Sequence, residues 1–117
     1  MKLRAAPTPV QAFKAEFFKA LAHPIRIAIL EILVRGERSV HELQEALAID
    51  QPTVSQQLAV LRAKNIVEAR KEGTTVRYAV RDGSVGDLLA VSRRIFDHHL
   101  VGAQTALREL RREARRQ

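Results

Sequence analysis

A chain of 117 residues suffices for one domain with a modest core, near the size at which a partner's surface adds to burial. It has no cysteine, which excludes disulfides, thiolate nucleophiles and thiolate metal sites, and no stretch approaches the ~18 consecutive apolar residues of a membrane span. Twenty Lys and Arg against thirteen Asp and Glu leave +7 per chain, or +14 for a twofold dimer, an excess that favours polyanions through counterion release without specifying any sequence.

The opening MKLRAAPTPV lacks the apolar run of a signal peptide, so a reducing cytoplasm and no membrane are the expected setting. Residues 1–9 carry two prolines and no periodicity and are expected to be a flexible tail. From Val10 to Ala22, Phe13, Phe17, Phe18 and Leu21 recur at helical spacing. His23-Pro24 breaks that run, because proline disfavours helical geometry in the residue before it and suits a first turn. The next helix is predicted from Pro24 to Arg35. Its Ile and Leu fall on nearly all sides, as in a buried central helix, and Gly36 is expected to cap it in a left-handed conformation.

Ser39 and Glu42 form an S-x-x-E capping box that opens a third helix, with Val40, Leu43 and Leu47 facing inward. Asp50 is the predicted cap of a fourth, with Pro52 in its first turn and Asn65 in a left-handed position at its end. An ordinary helical hairpin uses the same signals, but capped helix, short turn, capped helix is also the spacing of a helix-turn-helix. Within the fourth helix Val54, Leu58 and Leu61 fall in a narrow arc. Thr53 and Gln56 point the opposite way, flanked by Ser55 and Gln57. A surface helix normally spends that face on Lys, Glu and Arg. Neutral amides and hydroxyls both donate and accept hydrogen bonds, as base edges in a major groove require.

The periodicity then changes to two. Val67 and Ala69 alternate with Glu68 and Arg70, and Val76, Tyr78 and Val80 alternate with Arg77 and Ala79, around a turn at Glu72-Gly73-Thr74. This predicts a β-hairpin with a basic outer surface. The fold class is therefore mainly α with a small β-hairpin (α+β), a winged helix-turn-helix over residues 10–83. A single long helix, 84–112, follows, then a basic tail, 113–117. Along that helix Leu88, Ser92, Ile95, His99, Gly102 and Ala106 follow a 4-3-4-3-4 spacing beside Leu89, Phe96, Leu100, Ala103, Leu107 and Leu110. So wide a stripe must be covered. The same helix of a second subunit is the expected cover, with a fold back onto its own domain as the alternative. The predicted homodimer interface comprises Phe13 and Phe17 of the first helix with Leu88, Ser92, Ile95, Phe96, His99, Leu100, Ala103 and Leu107 of the last.

The segments ALAHPIRIAILEIL (20–33) and SVHELQEALAIDQPTVSQQLAVLRAKNIVEARKEGTTVRYAV (39–80) resemble the ArsR/SmtB family of bacterial winged-helix repressors. Two stretches carry most of the likeness. Leu21-Ala22-His23-Pro24-Ile25-Arg26 matches an L-x-x-P-x-R opening of the second helix, in which His23 and Arg26 are read as packing and capping residues. Gln51-Pro52-Thr53-Val54-Ser55-Gln56-Gln57-Leu58, followed by Leu61-Arg62, matches the recognition helix, with Asn65 where a glycine is usual. The resemblance implies a homodimer, joined through the first and last helices, that represses transcription from a near-palindromic double-stranded DNA operator. Base readout then falls to Gln51, Thr53, Ser55, Gln56 and Gln57, since a glutamine amide can bond adenine at two edge atoms. Phosphate contacts fall to Arg62 and Lys64 and to the wing residues Arg70, Lys71 and Arg77, with Ser39 bringing a helix N-terminus to the backbone.

Many members of that family sense a metal. Its thiolate sites need cysteines on the third helix, which here reads SVHELQEAL, and His41 alone does not replace them. The other family site pairs a D-x-H at the start of one final helix with an H-x-x-H or H-x-x-E further along its partner. Here Asp82 is followed by Ser84 where the first His is expected, and Ile95 stands where the second would fall. Asp82 with His98, or Asp87 and Asp97 with His99, across a dimer is the arrangement left for Zn²⁺ or Ni²⁺. Histidines satisfied inside an interface are the competing reading, so no cofactor is expected, and the inducer is not written in the sequence. A protein–protein adaptor using the wing or helix 85–112 is the rival function. No enzyme is expected, because no nucleophile set, glycine-rich phosphate loop or paired carboxylates stand out.

Overall fold

A computed structural model describes residues 6–116, in two compact units that divide between Gly83 and Ser84. The order is α1 (Pro9–Leu21), α2 (Pro24–Leu33), β1 (Arg38–Ser39), α3 (Val40–Leu47), α4 (Gln51–Ala63), β2 (Val67–Glu72), β3 (Thr75–Val80) and, as the second unit, α5 (Ser84–Arg116).

Local chemistry sets most of these boundaries. Thr8 accepts from the Gln11 N–H at 3.2 Å and its own N–H donates to Gln11 Oε1 at 2.9 Å, a capping box that starts α1 at Pro9. The expected tail is thereby corrected at its end, because Thr8 and Pro9 belong to the helix start; residues 1–5 lie outside the described residues. His23 caps α2, its Nδ1 accepting from the Ile25 N–H at 3.1 Å, and Arg26 donates from Nη1 to the Ala20 carbonyl at 3.0 Å. The L-x-x-P-x-R stretch therefore closes one helix and opens the next, with Arg26 satisfying a carbonyl at the end of α1.

Helix α2 stops at Leu33, two residues before the predicted end, and Gly36 takes φ +151° rather than the left-handed helical value expected of it. Nor is α2 buried all round: Ile29, Leu30 and Leu33 are interior, whereas Ile27 and Val34 are exposed. The Ser39–Glu42 capping box is present, with Glu42 N–H to Ser39 Oγ at 3.2 Å and Ser39 N–H to Glu42 Oε1 at 2.9 Å. Asp50 caps α4 by accepting from the Thr53 N–H at 3.2 Å, and Asn65 follows α4 at φ +59°. The turn between α3 and α4 holds a second left-handed residue, Ala48 at φ +53°, that no sequence signal announced.

The core of this unit is shared by α2, α3, α4 and the start of β2. Ile29, Leu30, Leu43, Val54, Leu58, Leu61 and Val67 are all essentially inaccessible, so the predicted inward arc of α4 faces the interior. The wing is one strand richer than a hairpin. Its sheet is antiparallel in the order β1-β3-β2, with Arg38 opposite Tyr78 and Ser39 opposite Arg77 on one edge of β3 and Arg70 opposite Arg77 on the other. Gly73 at φ +62° begins a two-residue turn, and Glu72 pairs with Thr75 inside the ladder rather than joining the turn.

Helix α5 runs for 33 residues, about 50 Å at 1.5 Å per residue. It continues through the predicted basic tail to Arg116, because REARR contains helix formers and no breaker. Along it Val91, Ile95, Phe96, Leu100, Val101, Leu107 and Leu110 are 42–63% exposed. Among the described residues no helix is long and apolar enough to cross a membrane.

Candidate nucleic-acid interface

Burying Val54, Leu58 and Leu61 forces the other side of α4 outward. Gln51 and Gln56 are exposed there, while Thr53, Ser55 and Gln57 are half-buried on the flanks. No hydrogen bond within the described residues engages the side-chain amides of Gln51, Gln56 or Gln57. Thr53 differs from the expectation of an open hydroxyl. Its Oγ1 lies 2.8 and 2.9 Å from the two Asp50 carboxylate oxygens and donates its one proton there. That bond, then the one from the Thr53 backbone, holds the Asp50 carboxyl below its ordinary value of 3.8. Thr53 is thus first part of the cap, with lone pairs left over for a ligand.

The other predicted residues separate into three places. Ser55 and Arg62 come together with Ala59, Ala63 and Tyr78 around an open groove of about 430 Å³ between α4 and β3, whose alanines leave a low floor. Lys64 lines a different recess, beside Phe13, Glu16 and Phe17 of α1. Lys71 is exposed near the wing turn. Ser39 has its hydroxyl and N–H committed to Glu42, so its own amide is not offered outward.

Arg70 and Arg77 correct the picture of a freely basic wing face. Arg77 is half-buried, and its Nε lies 3.1 Å from Glu37 Oε1, its Nη1 3.4 Å from Glu42 Oε1 and its Nη2 3.4 Å from the Glu37 carbonyl. Arg70 also donates to Glu37 Oε1, and its Nη2 lies 3.5 Å from Glu72. Hydrogen bonding to Glu37, reinforced by that carboxylate's charge, holds the Arg70 guanidinium above its ordinary value. The sequence pattern gives Glu42 only a capping role and Glu72 only a place in the turn, and it gives Glu37 none. Nothing local could have found Glu37, which meets its partners 33 and 40 positions away. Tyr78, read only as part of an apolar alternation, belongs to the α4 groove.

On α1, Phe13 is 77% exposed and Phe18 is also open, although only Phe13 and Phe17 were singled out. Phe17, packed edge-on against Phe18 with ring centres 5.7 Å apart, is half-buried. On α5 the predicted stripe is largely uncovered in the single chain, with Leu88 and Ser92 half-buried and the Ser92 hydroxyl donating to the Leu89 carbonyl at 2.8 Å. Asp87, Asp97, His98 and His99 lie exposed along the same helix. Among the described residues no three His, Asp or Glu side chains gather where they could hold a metal ion.

The profile described as "Bacterial regulatory protein, arsR family" matches residues 23–69, from the cap of α2 into β2. The HTH-type transcriptional regulator Rv0081 of Mycobacterium tuberculosis is 42% identical over 104 residues, covering 88% of this chain and 91% of its own. The chain belongs to the ArsR family. Its first unit is the winged helix-turn-helix of that family, and the match reaches beyond sequence. The crystal structure of Rv0081 superposes with a TM-score of 0.75 over 82% of this ArsR-family chain and 97% of the other. The biofilm growth-associated repressor of Xylella fastidiosa is 40% identical over 70% of this chain and 72% of its own. A homodimeric winged helix-turn-helix DNA-binding domain, Mb0332 of Mycobacterium bovis, is 34% identical with a TM-score of 0.70, covering 83% of this chain and 94% of that one.

Proposed function

We propose that this chain is a DNA-binding transcriptional repressor that works as a homodimer and reads a near-palindromic operator with one α4 per half-site. The observation that supports base reading is the amide pair on α4: Gln51 and Gln56 stand outward and unengaged on a helix whose opposite face is locked in the core. A rigid helix offering neutral donors and acceptors suits direct readout, and a net charge of +7 supplies the sequence-independent attraction. Arg62 and Lys71 are the basic side chains best placed for the flanking backbone, at the end of α4 and by the wing turn. Repression then needs no chemistry, since a bound dimer excludes polymerase.

Dimerisation rests on the open apolar stripe of α5, which a second copy of the same helix covers. A ligand that releases the operator must bind the DNA-free form better, and the coupling is reciprocal. The direct test is a gel shift on the DNA upstream of the chain's own gene at two salt concentrations. Occupancy that survives random competitor supports the repressor. Indifference to DNA at both salts favours the adaptor.

A further inference from the structure

We propose that Arg77 and Glu37 form a strut that sets the wing against the start of α3, so that Arg77 serves DNA binding as a positioning residue and not by touching phosphate. The inference rests on the wing being a DNA contact and identifies which of its arginines does what. Arg70 and Arg77 are directly opposite across β2 and β3, a pairing of like charges that is unfavourable by itself. Glu37 Oε1 lies between them and accepts from both. Each of the three Arg77 nitrogens already faces a protein oxygen: Nε the Glu37 carboxylate, Nη1 the Glu42 carboxylate and Nη2 the Glu37 carbonyl. A guanidinium so occupied has no open fork for a bidentate phosphate grip.

The same contacts reach the reading head. Glu42 Oε1, 3.4 Å from Arg77, is also the atom that accepts the Ser39 N–H and completes the α3 capping box. The strut therefore runs from β3 through Glu37 and Glu42 into the first turn of α3, which packs on α4 through the shared core. The chain approaches Glu37 by way of Gly36 at φ +151°, and a Cβ there would come within 3.1 Å of Arg38 Nη1, which donates to the Glu37 carbonyl at 2.9 Å. Isolated surface pairs contribute little, but a half-buried guanidinium shared among several carboxylates is the recognised exception.

The two roles predict opposite signs. Operator and random duplexes are titrated by fluorescence anisotropy across a salt series, with wild type, Glu37→Gln, Arg77→Gln, Arg77→Lys, Lys71→Gln and the Glu37→Gln/Arg77→Gln double variant of the whole chain. With a strut, Glu37→Gln and Arg77→Gln each weaken operator binding by about tenfold, and the double variant is no worse than either. The slope of log K against log salt is unchanged by them, whereas Lys71→Gln reduces it by about 0.9. Arg77→Lys behaves like Arg77→Gln, because a single ammonium cannot span the three oxygens. Tighter binding by Glu37→Gln, or a reduced slope with Arg77→Gln that Arg77→Lys restores, overturns the proposal. Hydrogen exchange of β3 amides in the DNA-free protein keeps the strut separable from DNA binding itself. Faster exchange in Glu37→Gln, with core amides of α2 and α4 unchanged, supports it, and unaltered β3 exchange refutes it even if no operator preference exists. Should Glu37→Gln fail to fold, Arg77→Lys carries the same exchange comparison.

Discussion

Gln56 makes no side-chain hydrogen bond among the described residues, so in the proposed reading its whole bonding capacity is available for discrimination. Gln56→Ala is expected to weaken operator binding by ~1–3 kcal/mol while hardly changing affinity for random duplex. Equal losses on both, measured by competition anisotropy, would contradict base reading. Two carboxylates serve the caps of α3 and α4. Asp50 is held below 3.8 by its bonds from Thr53, and Glu42 below 4.5, chiefly by the bond from the Ser39 backbone. A folded-state pKa below the unfolded one gives stability that is complete above the unfolded value and lost as pH falls through the folded value. Urea midpoints are therefore expected to fall as pH drops below 4.5, and Asp50→Asn, which still caps a helix, to flatten that decline. These caps were legible because each is a local pattern of four consecutive residues. The cluster around Glu37 was not, because it joins residues that only the sheet brings together, and alternation alone assigned Arg77 to an outer surface that β1 and α3 partly cover.

The helix-turn-helix owes its geometry to a turn that carries a cost. Ala48 sits at φ +53°, where a Cβ crowds the following carbonyl at ~1–2 kcal/mol. Glycine removes that crowding but frees the unfolded chain by ~0.4–1 kcal/mol, so Ala48→Gly is expected to stabilise the fold by about 0.5–1 kcal/mol in urea titrations. A destabilised variant would mean that the Ala48 methyl contributes packing. The elements the sequence displayed best were the long periodic ones, α4 and α5, and the paired strands of the wing. It hid β1, two residues with no period to read, and the start of α1, where a Thr-Pro-Val-Gln capping box looked like a tail. For α5, Leu100→Glu places a charge in the middle of the open stripe. Light scattering should then report half the wild-type mass, and an unchanged mass would remove the paired-helix arrangement.

Across the whole molecule, the charge excess and the absence of cysteine narrowed the function before any motif was read. They could not apportion the basic residues. Of those predicted to meet phosphate, Arg62 lines the α4 groove, Lys64 lies by the phenylalanines of α1, and Arg70 and Arg77 are held by acids. Composition counts charges, whereas the fold decides which of them are already neutralised.

In the proposed homodimer, the apolar residues left open along α5 would also make the folded state answer to dilution. A chain that completes its burial only in pairs melts higher when more of it is present, so calorimetric Tm should climb with protein concentration, and a constant Tm would argue against obligate pairing. In a cell the same mass action sharpens the response to copy number. Well below the association midpoint, the abundance of the proposed dimer follows the square of the chain's, so halving expression would cut unsaturated operator occupancy by about fourfold instead of twofold.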